Sequence, residues 1–255
     1  MNSIMNRFSL EGKVAVVTGA NTGLGQGISV ALAAAGAHVF GVARRSCAET
    51  AEKVQAVGGR FSEIMADMSR LESIDTIISR VKAEAGHLDI LVNNAGIIKR
   101  CDAIDVSVED WDSVIDINLR MVYFLSQAAA REFMAQGTGG KIINICSMLS
   151  FQGGIRVPAY TASKSAVMGI TRALANEWAR HGININGIAP GYMATNNTAQ
   201  LRQDEERSSD ILARIPAARW GTPEDVQGAA IFLASAASDY VNGYTVAVDG
   251  GWLAR

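Results

Sequence analysis

Proline is scarce in this chain, with four in 255 residues. So few rigid breakers leave no Pro-rich spacer, and no internal repeat or low-complexity tract takes its place. The three cysteines, Cys47, Cys101 and Cys146, are odd in number and widely spaced, with no CxxC pair and no Cys/His cluster. That pattern supports neither a disulfide framework nor a metal site, and free thiols fit a reducing compartment. Neither sign of charge dominates, since 23 Lys and Arg against 25 Asp and Glu give a formal net charge of −2. No basic surplus marks nucleic acid as a partner, and no polybasic run marks an anionic membrane surface. No stretch approaches the roughly 18 apolar residues of a membrane span. The opening MNSIMNRFSLEGK lacks the apolar core of a secretory signal. A cytoplasmic protein with neither a nucleic-acid nor a membrane partner is the expectation.

Hydrophobic residues make up 49% and charged residues 19%, enough for one large α/β domain over residues 1–255 with a substantial core. Short β-rich runs at 14–18, 39–43, 61–66, 90–93, 141–146, 184–189 and 245–248 alternate with helical patterns at 24–35, 48–57, 69–85, 108–136, 160–180 and 223–235. Most of the runs are nearly continuously apolar, as strands covered on both faces are. That βαβ rhythm predicts a doubly wound parallel sheet with right-handed crossovers. Residues 191–218 break the rhythm with a long polar stretch. It reads as a partly helical excursion over the C-terminal edge of the sheet, either a substrate lid or a plain surface loop.

The first strand runs into Gly19-Ala20-Asn21-Thr22-Gly23-Leu24-Gly25, a TGxxxGxG turn. Gly19 permits a tight turn, Gly23 lets a pyrophosphate approach the backbone, and Gly25 allows close packing of helix on strand. The helix that follows offers free N–H groups and a positive dipole end. Gly19, Asn21, Thr22, Gly23 and Leu24 are therefore candidate dinucleotide contacts. The second strand ends Val42-Ala43-Arg44-Arg45, without the acid that takes a ribose 2′-OH. Arg44, with Arg45 in reserve, matches a 2′-phosphate, which favours NADP(H) and leaves NAD(H) open. Asp67 and Met68 end the third run, where an acid can accept from an adenine amino group. Asn93, Asn94, Ala95 and Gly96 end the fourth. The small residues there allow cofactor contact, while the Asn side chains can tie neighbouring strands together.

Tyr160 and Lys164 lie four apart, one helical turn from each other, with Ser147 upstream. A fixed ammonium beside a phenol favours phenolate, and a phenol so tuned can exchange a proton with a carbonyl–alcohol pair. The competing reading is a surface Tyr and Lys on an ordinary helix.

Taken together, TGANTGLG, NNAG, Asn118, Ser147, Tyr160 with Lys164, and Pro190-Gly191 resemble the short-chain dehydrogenase/reductase family across nearly the whole chain. The resemblance implies a single Rossmann-type domain with a seven-stranded parallel sheet and helices on both faces, assembled as a homotetramer. It implies catalytic roles for Asn118, Ser147, Tyr160 and Lys164. Tyr160 and Lys164 would also contact the cofactor, as would Pro190 and Gly191. Residues 147–158, 191–198 and 249–255 are similar to the sugar-acid branch of the family, which implies a small-molecule keto-sugar acid as substrate. A 3-oxoacyl thioester reductase shares the same core, and a dinucleotide-binding regulator without turnover is the alternative from another class.

A sugar acid needs a carboxylate partner and hydroxyl partners. Arg156 offers a guanidinium fork, or else serves a surface or subunit contact. Met148, Gln152, Tyr192 and Asn196 are the other candidates. His38, His87 and His181 lie apart from the Ser–Tyr–Lys unit in the sequence and read as structural or solvated. Trp111, Trp178, Trp220 and Trp252 read as core or interface anchors.

Overall fold

The computed structural model describes residues 4–255; the first three residues of the opening segment read for a leader lie outside the described residues. The branched, apolar runs form seven strands: β1 Val14–Thr18, β2 His38–Ala43, β3 Arg60–Met65, β4 Ile90–Asn93, β5 Gly140–Ile145, β6 Ile183–Pro190 and β7 Thr245–Val248. They make one sheet in the order β3-β2-β1-β4-β5-β6-β7, with every neighbouring pair parallel. The chain winds outward from β1 to β3, then returns to β4 on the other side of β1. The crevice that a dinucleotide uses in such sheets lies at this reversal, outside the C-terminal strand ends.

The period-two alternation of side chains sends each strand into two cores. From β1, Ala15 and Val17 face one layer, where they meet Ile28 and Leu32 of α1 (Gly23–Ala34) and Ala230 and Leu233 of α9 (Gln227–Ala234). Val14 and Val16 face the other layer. It holds Ile77 and Val81 of α3 (Ser73–Ala85), Leu125 and Phe133 of α5 (Met121–Gln136), and Leu174 of α6 (Pro158–Trp178). Each Val, Leu, Ile or Phe among them, fully buried, contributes about 1.5–3 kcal/mol. All five residues of β1 are buried, whereas the edge strands β3 and β7 are largely half-exposed. Position in the sheet thus explains why β3 lacks the apolar continuity of the central strands.

Several boundaries differ from the sequence expectation for local reasons. The helical pattern at 69–85 becomes helix only from Ser73. Asp67 first accepts from the backbone N–H and the hydroxyl of Ser69 (3.0 and 2.9 Å), and Ser73 Oγ donates back to the Asp67 carbonyl. Such Asx turns compete with helix. The pattern at 108–136 is two helices, α4 (Val108–Ile115) and α5, joined by a π-helical segment at Asp116–Arg120. α6 starts two residues before Tyr160, on Pro158, whose missing N–H costs nothing at a helix's first position. The excursion at 191–218 carries α7 (Ala199–Gln203) and α8 (Glu205–Arg214). The remaining helix, α2, spans Ala48–Ala56. Among the described residues no helix is long and apolar enough to cross a membrane, and no cluster of His, Cys, Asp and Glu could hold a metal.

Candidate active site

One cavity of about 230 Å³ opens at the crevice. Its lining includes Gly19, Asn21, Thr22, Gly23 and Leu24 from the turn after β1, and Asn94, Ala95, Gly96 and Ile97 after β4. Ile145, Tyr160 and Lys164 line it too, with Thr195, Asn196 and Asn197 from the excursion.

The glycine turn is locked by its neighbour strand. Thr18 Oγ1 accepts from the N–H groups of Asn94 and Ala95 (3.0 and 2.9 Å), and Asn94 Nδ2 donates to the Thr18 carbonyl at 2.8 Å. Gly19 holds φ at 66°, a conformation that favours glycine, and a Cβ there would stand 2.9 Å from Asn94 Nδ2. A Cβ on Gly25 would reach 2.5 Å from that same nitrogen and collide with the Gly19 carbonyl. Thr22 precedes α1 without a side-chain cap, so the first-turn N–H groups remain for an anion.

Behind the cavity a buried polar network fixes α6. Asn93 Nδ2 donates to Ser126 Oγ (2.9 Å) and to Asn144 Oδ1 (2.8 Å), and Asn144 Nδ2 donates to Thr171 Oγ1 at 2.9 Å. Asn93 therefore ties strands and helices together, while Asn94 and its neighbours line the cavity. Lys164 is buried and donates to the Ile145 carbonyl at 2.6 Å, with Nζ 5.7 Å from the centroid of the Tyr160 ring. The Ser147 side chain lies beside the phenol of Tyr160. Ser147 is held in turn through Leu149 N–H, which donates to its Oγ at 3.1 Å, and Ser150 Oγ donates to the Lys164 carbonyl at 2.7 Å. Fully buried Asn118, in the π segment, accepts from Ile97 N–H (2.8 Å) and donates to the Ile97 carbonyl (2.9 Å) and to Ser163 Oγ (3.2 Å). Its amide thus bridges the loop after β4 to α6. A Cβ on Gly96 would stand 3.1 Å from Asn118 Oδ1, which makes glycine the fitting residue there.

Electrostatics differ in one respect from the expectation that Lys164 lowers the phenol. Burial is the largest influence on Tyr160 and raises its pKa, while the Ser147 side chain and the charge of Arg100 pull it down. The same burial drives the Lys164 ammonium down to about 8. Taking both groups out of water favours both neutral forms.

The remaining candidates occupy distinct places. Arg44 and Arg45 are exposed beyond the end of β2, and the Arg44 charge helps to hold the Asp67 carboxyl below its usual range, after the Ser69 hydrogen bond. The Met68 side chain is buried in the core. Pro190 ends β6, and Gly191 packs so close to Asp249 that a Cβ would stand 2.6 Å from the Asp249 Cα. Asn196 lines the cavity. Met148 is buried with Ile211, Ile215 and Trp252, and Tyr192 packs edge-on against Trp220 and Trp252 (centroids 5.5 and 4.8 Å). Gln152 Oε1 accepts from Arg214 at 3.4 Å. Arg156 is exposed, with φ at 64°, and its Nε pairs with Asp102 at 2.8 Å, outside the cavity lining. Sequence reasoning overlooked Ile97, Ile145, Thr195 and Asn197, which flank recognised motifs. It also overlooked Arg100, which donates to the Asn197 carbonyl at 3.0 Å and acts on the phenol. Its place six residues past Asn94 was the one available signal.

A family model described as enoyl-(acyl carrier protein) reductase matches residues 19–253. The chain is 64% identical over 252 residues to 2-dehydro-3-deoxy-D-gluconate 5-dehydrogenase of Escherichia coli K12, covering 99% of this chain and 100% of that one. It is 65% identical over 252 residues to the enzyme of the same name from Dickeya dadantii, with the same coverage. Among solved structures, a gluconate 5-dehydrogenase from Burkholderia cenocepacia J2315 in complex with NADP and tartrate matches with a TM-score of 0.94. Its sequence identity is 39%, covering 99% of this chain and 100% of that one.

Proposed function

The chain belongs to the short-chain dehydrogenase/reductase family, and on that premise we propose that it is an NAD(P)-dependent oxidoreductase of a sugar acid. It interconverts a secondary hydroxyl and a carbonyl on a substrate of the 2-dehydro-3-deoxy-D-gluconate type. The observation that carries the reading is one cavity at the strand reversal that brings Tyr160 and buried Lys164 beside a glycine cradle. Relatives with that substrate in their names cover the whole chain.

The residues present fit a dinucleotide. The uncapped start of α1, with Gly19 and Gly25 where a Cβ would clash, suits a pyrophosphate. Arg44 suits a 2′-phosphate, so NADP(H) is favoured and the cradle also accepts NAD(H). When bound, the nicotinamide supplies or accepts the hydride. In reduction Tyr160 gives its proton to the carbonyl oxygen, and in oxidation it takes the hydroxyl proton. Ser147 donates to that same oxygen and fixes its angle. Lys164, one turn on and lining the same cavity, would hold the nicotinamide ribose. Asn118 acts as a positioning residue, because it holds Ile97 and Ser163 around the lysine. Residues 191–218 form the lid, whose Thr195, Asn196 and Asn197 reach the cavity.

We infer further that the protein is a cytoplasmic homotetramer. Supporting that assembly, Trp111 of α4 and Phe124 and Met134 of α5 are exposed apolar side chains on neighbouring helices.

The Tyr160→Phe variant tests the reading: turnover falls by about a thousandfold, the range of a lost general acid, while NADPH still binds by fluorescence titration. Near-normal turnover would reject it. A screen at 340 nm with NADH and NADPH against sugar acids and 3-oxoacyl thioesters sets the substrate class. Activity confined to thioesters would move the assignment there, and binding without turnover of any compound would mark a regulator.

A further inference from the structure

A sugar acid carries its negative charge several bonds from the carbon oxidised, so its carboxylate must find a cation away from Tyr160. Arg156 is spent on Asp102, and Arg219 forms a bidentate pair with Asp225 (2.7 and 2.7 Å). Arg214, at the end of α8, differs from both. Among the described residues its polar partner is a neutral amide, Gln152, at 3.4 Å, and no carboxylate pairs with it. Its guanidinium lies over the Trp252 ring at 4.0 Å, so the cation is held in place by stacking.

A second observation comes from Trp252 itself. The residue is 4% exposed, and its buried indole Nε1 has no hydrogen-bond partner among the described residues. Indole N–H is a donor only, and leaving a buried donor without an acceptor is costly. A stacked guanidinium and an unpartnered N–H lack the same thing, an anionic oxygen. The place is tied to the reacting centre, because Trp252 packs with Met148, the residue next to Ser147, and the amide beside Arg214 is Gln152 of the same loop.

We propose that Arg214 and the Trp252 indole N–H bind the carboxylate of the sugar acid, at the end of the substrate remote from the oxygen shared by Ser147 and Tyr160. This rests on the sugar-acid reading above. Arg214 thereby selects acids over neutral sugars and takes no part in proton transfer.

The test compares 2-dehydro-3-deoxy-D-gluconate with its primary amide on the full-length wild type, Arg214→Met, Arg214→Lys and Trp252→Phe. In Arg214→Met the preference in kcat/KM for acid over amide falls by about tenfold or more, the scale of a charge-assisted hydrogen bond. The loss resides in KM for the acid, while kcat and NADPH affinity stay within about twofold. Arg214→Lys, which keeps the charge without the fork, restores part of the preference. Trp252→Phe lowers it by a smaller factor. An unchanged acid preference in Arg214→Met, or an equal loss on acid and amide, overturns the proposal. Wild-type protein that turns over neither compound instead strikes the sugar-acid reading, and this proposal falls with it.

Discussion

The two banks of the cleft are built in opposite ways. On one bank, the turn after β1 and the end of β4 present backbone atoms, locked by Thr18 and Asn94 and crowded against glycines. On the other bank, the segment from Gly191 to Thr222 presents side chains on short helices, closed at its neck by a Met193–Gly221 bridge and the Ala194 N–H to Gly221 carbonyl bond. The first bank suits the part common to all dinucleotides, since a main-chain cradle reads phosphate by shape and dipole. The second suits a variable substrate, since side chains can change while the neck stays closed.

That contrast is broken most severely by crowding the backbone bank. Gly25→Ala forces a methyl into Asn94 Nδ2 and the Gly19 carbonyl, and overpacking of this kind costs about 1–3 kcal/mol. A falling thermal midpoint together with lost NADPH binding is the expected result. Gly153→Ala, in the loop after Ser147 and outside the backbone bank, meets nothing within 4 Å and shifts stability by about 0.5 kcal/mol or less. Equal tolerance at both positions would erase the distinction. Next in size is Arg44→Ala, where the KM for NADPH rises about tenfold while that for NADH is unmoved, the signature of a lost phosphate contact. A parallel rise for both cofactors would show that Arg44 shapes the turn instead.

The smallest effect concerns the neck. Arg219 holds the Asp225 carboxyl down to about 2, from an ordinary 3.8. A carboxylate with a depressed folded-state pKa stabilises the fold above the ordinary value, and that contribution is lost as the pH falls through about 2. The pair is solvated, so Arg219→Ala lowers the thermal midpoint only slightly at pH 6. Thermal melts should show the gap between wild type and variant closing between pH 4 and pH 2. A gap constant over that range would assign the loss to packing of the arginine stem.

The legibility of each bank follows from its construction. The runs at 14–18, 90–93 and 245–248 correspond to strands with the same limits, because strand ends fall at the turn residues beside them. The glycine turn was legible for the same reason. By contrast, the π segment that carries Asn118 left no mark in the 108–136 pattern, since it is confined to a single turn between two regular helices. Among the arginines, Arg156 lay nearest the serine in sequence, yet Asp102, more than fifty residues earlier, takes it. Arg214 lay in a polar stretch without a motif, and only the stacking of α8 on the chain's end brings it over Trp252.

From the sequence alone came the alternation of strands and helices, the glycine turn after β1, and the spacing of the Ser–Tyr–Lys unit. Each is a local rule, set by the pleat, the φ freedom of glycine or one helical turn. Tertiary structure decided that Ser147 comes beside Tyr160, that Asn118 spans Ile97 and Ser163, and which guanidinium lies near the loop that follows Ser147. Those contacts join residues far apart in the chain, and burial then overrides local charge: it raises the phenol and drives Lys164 down to about 8, although the pair stands one turn apart.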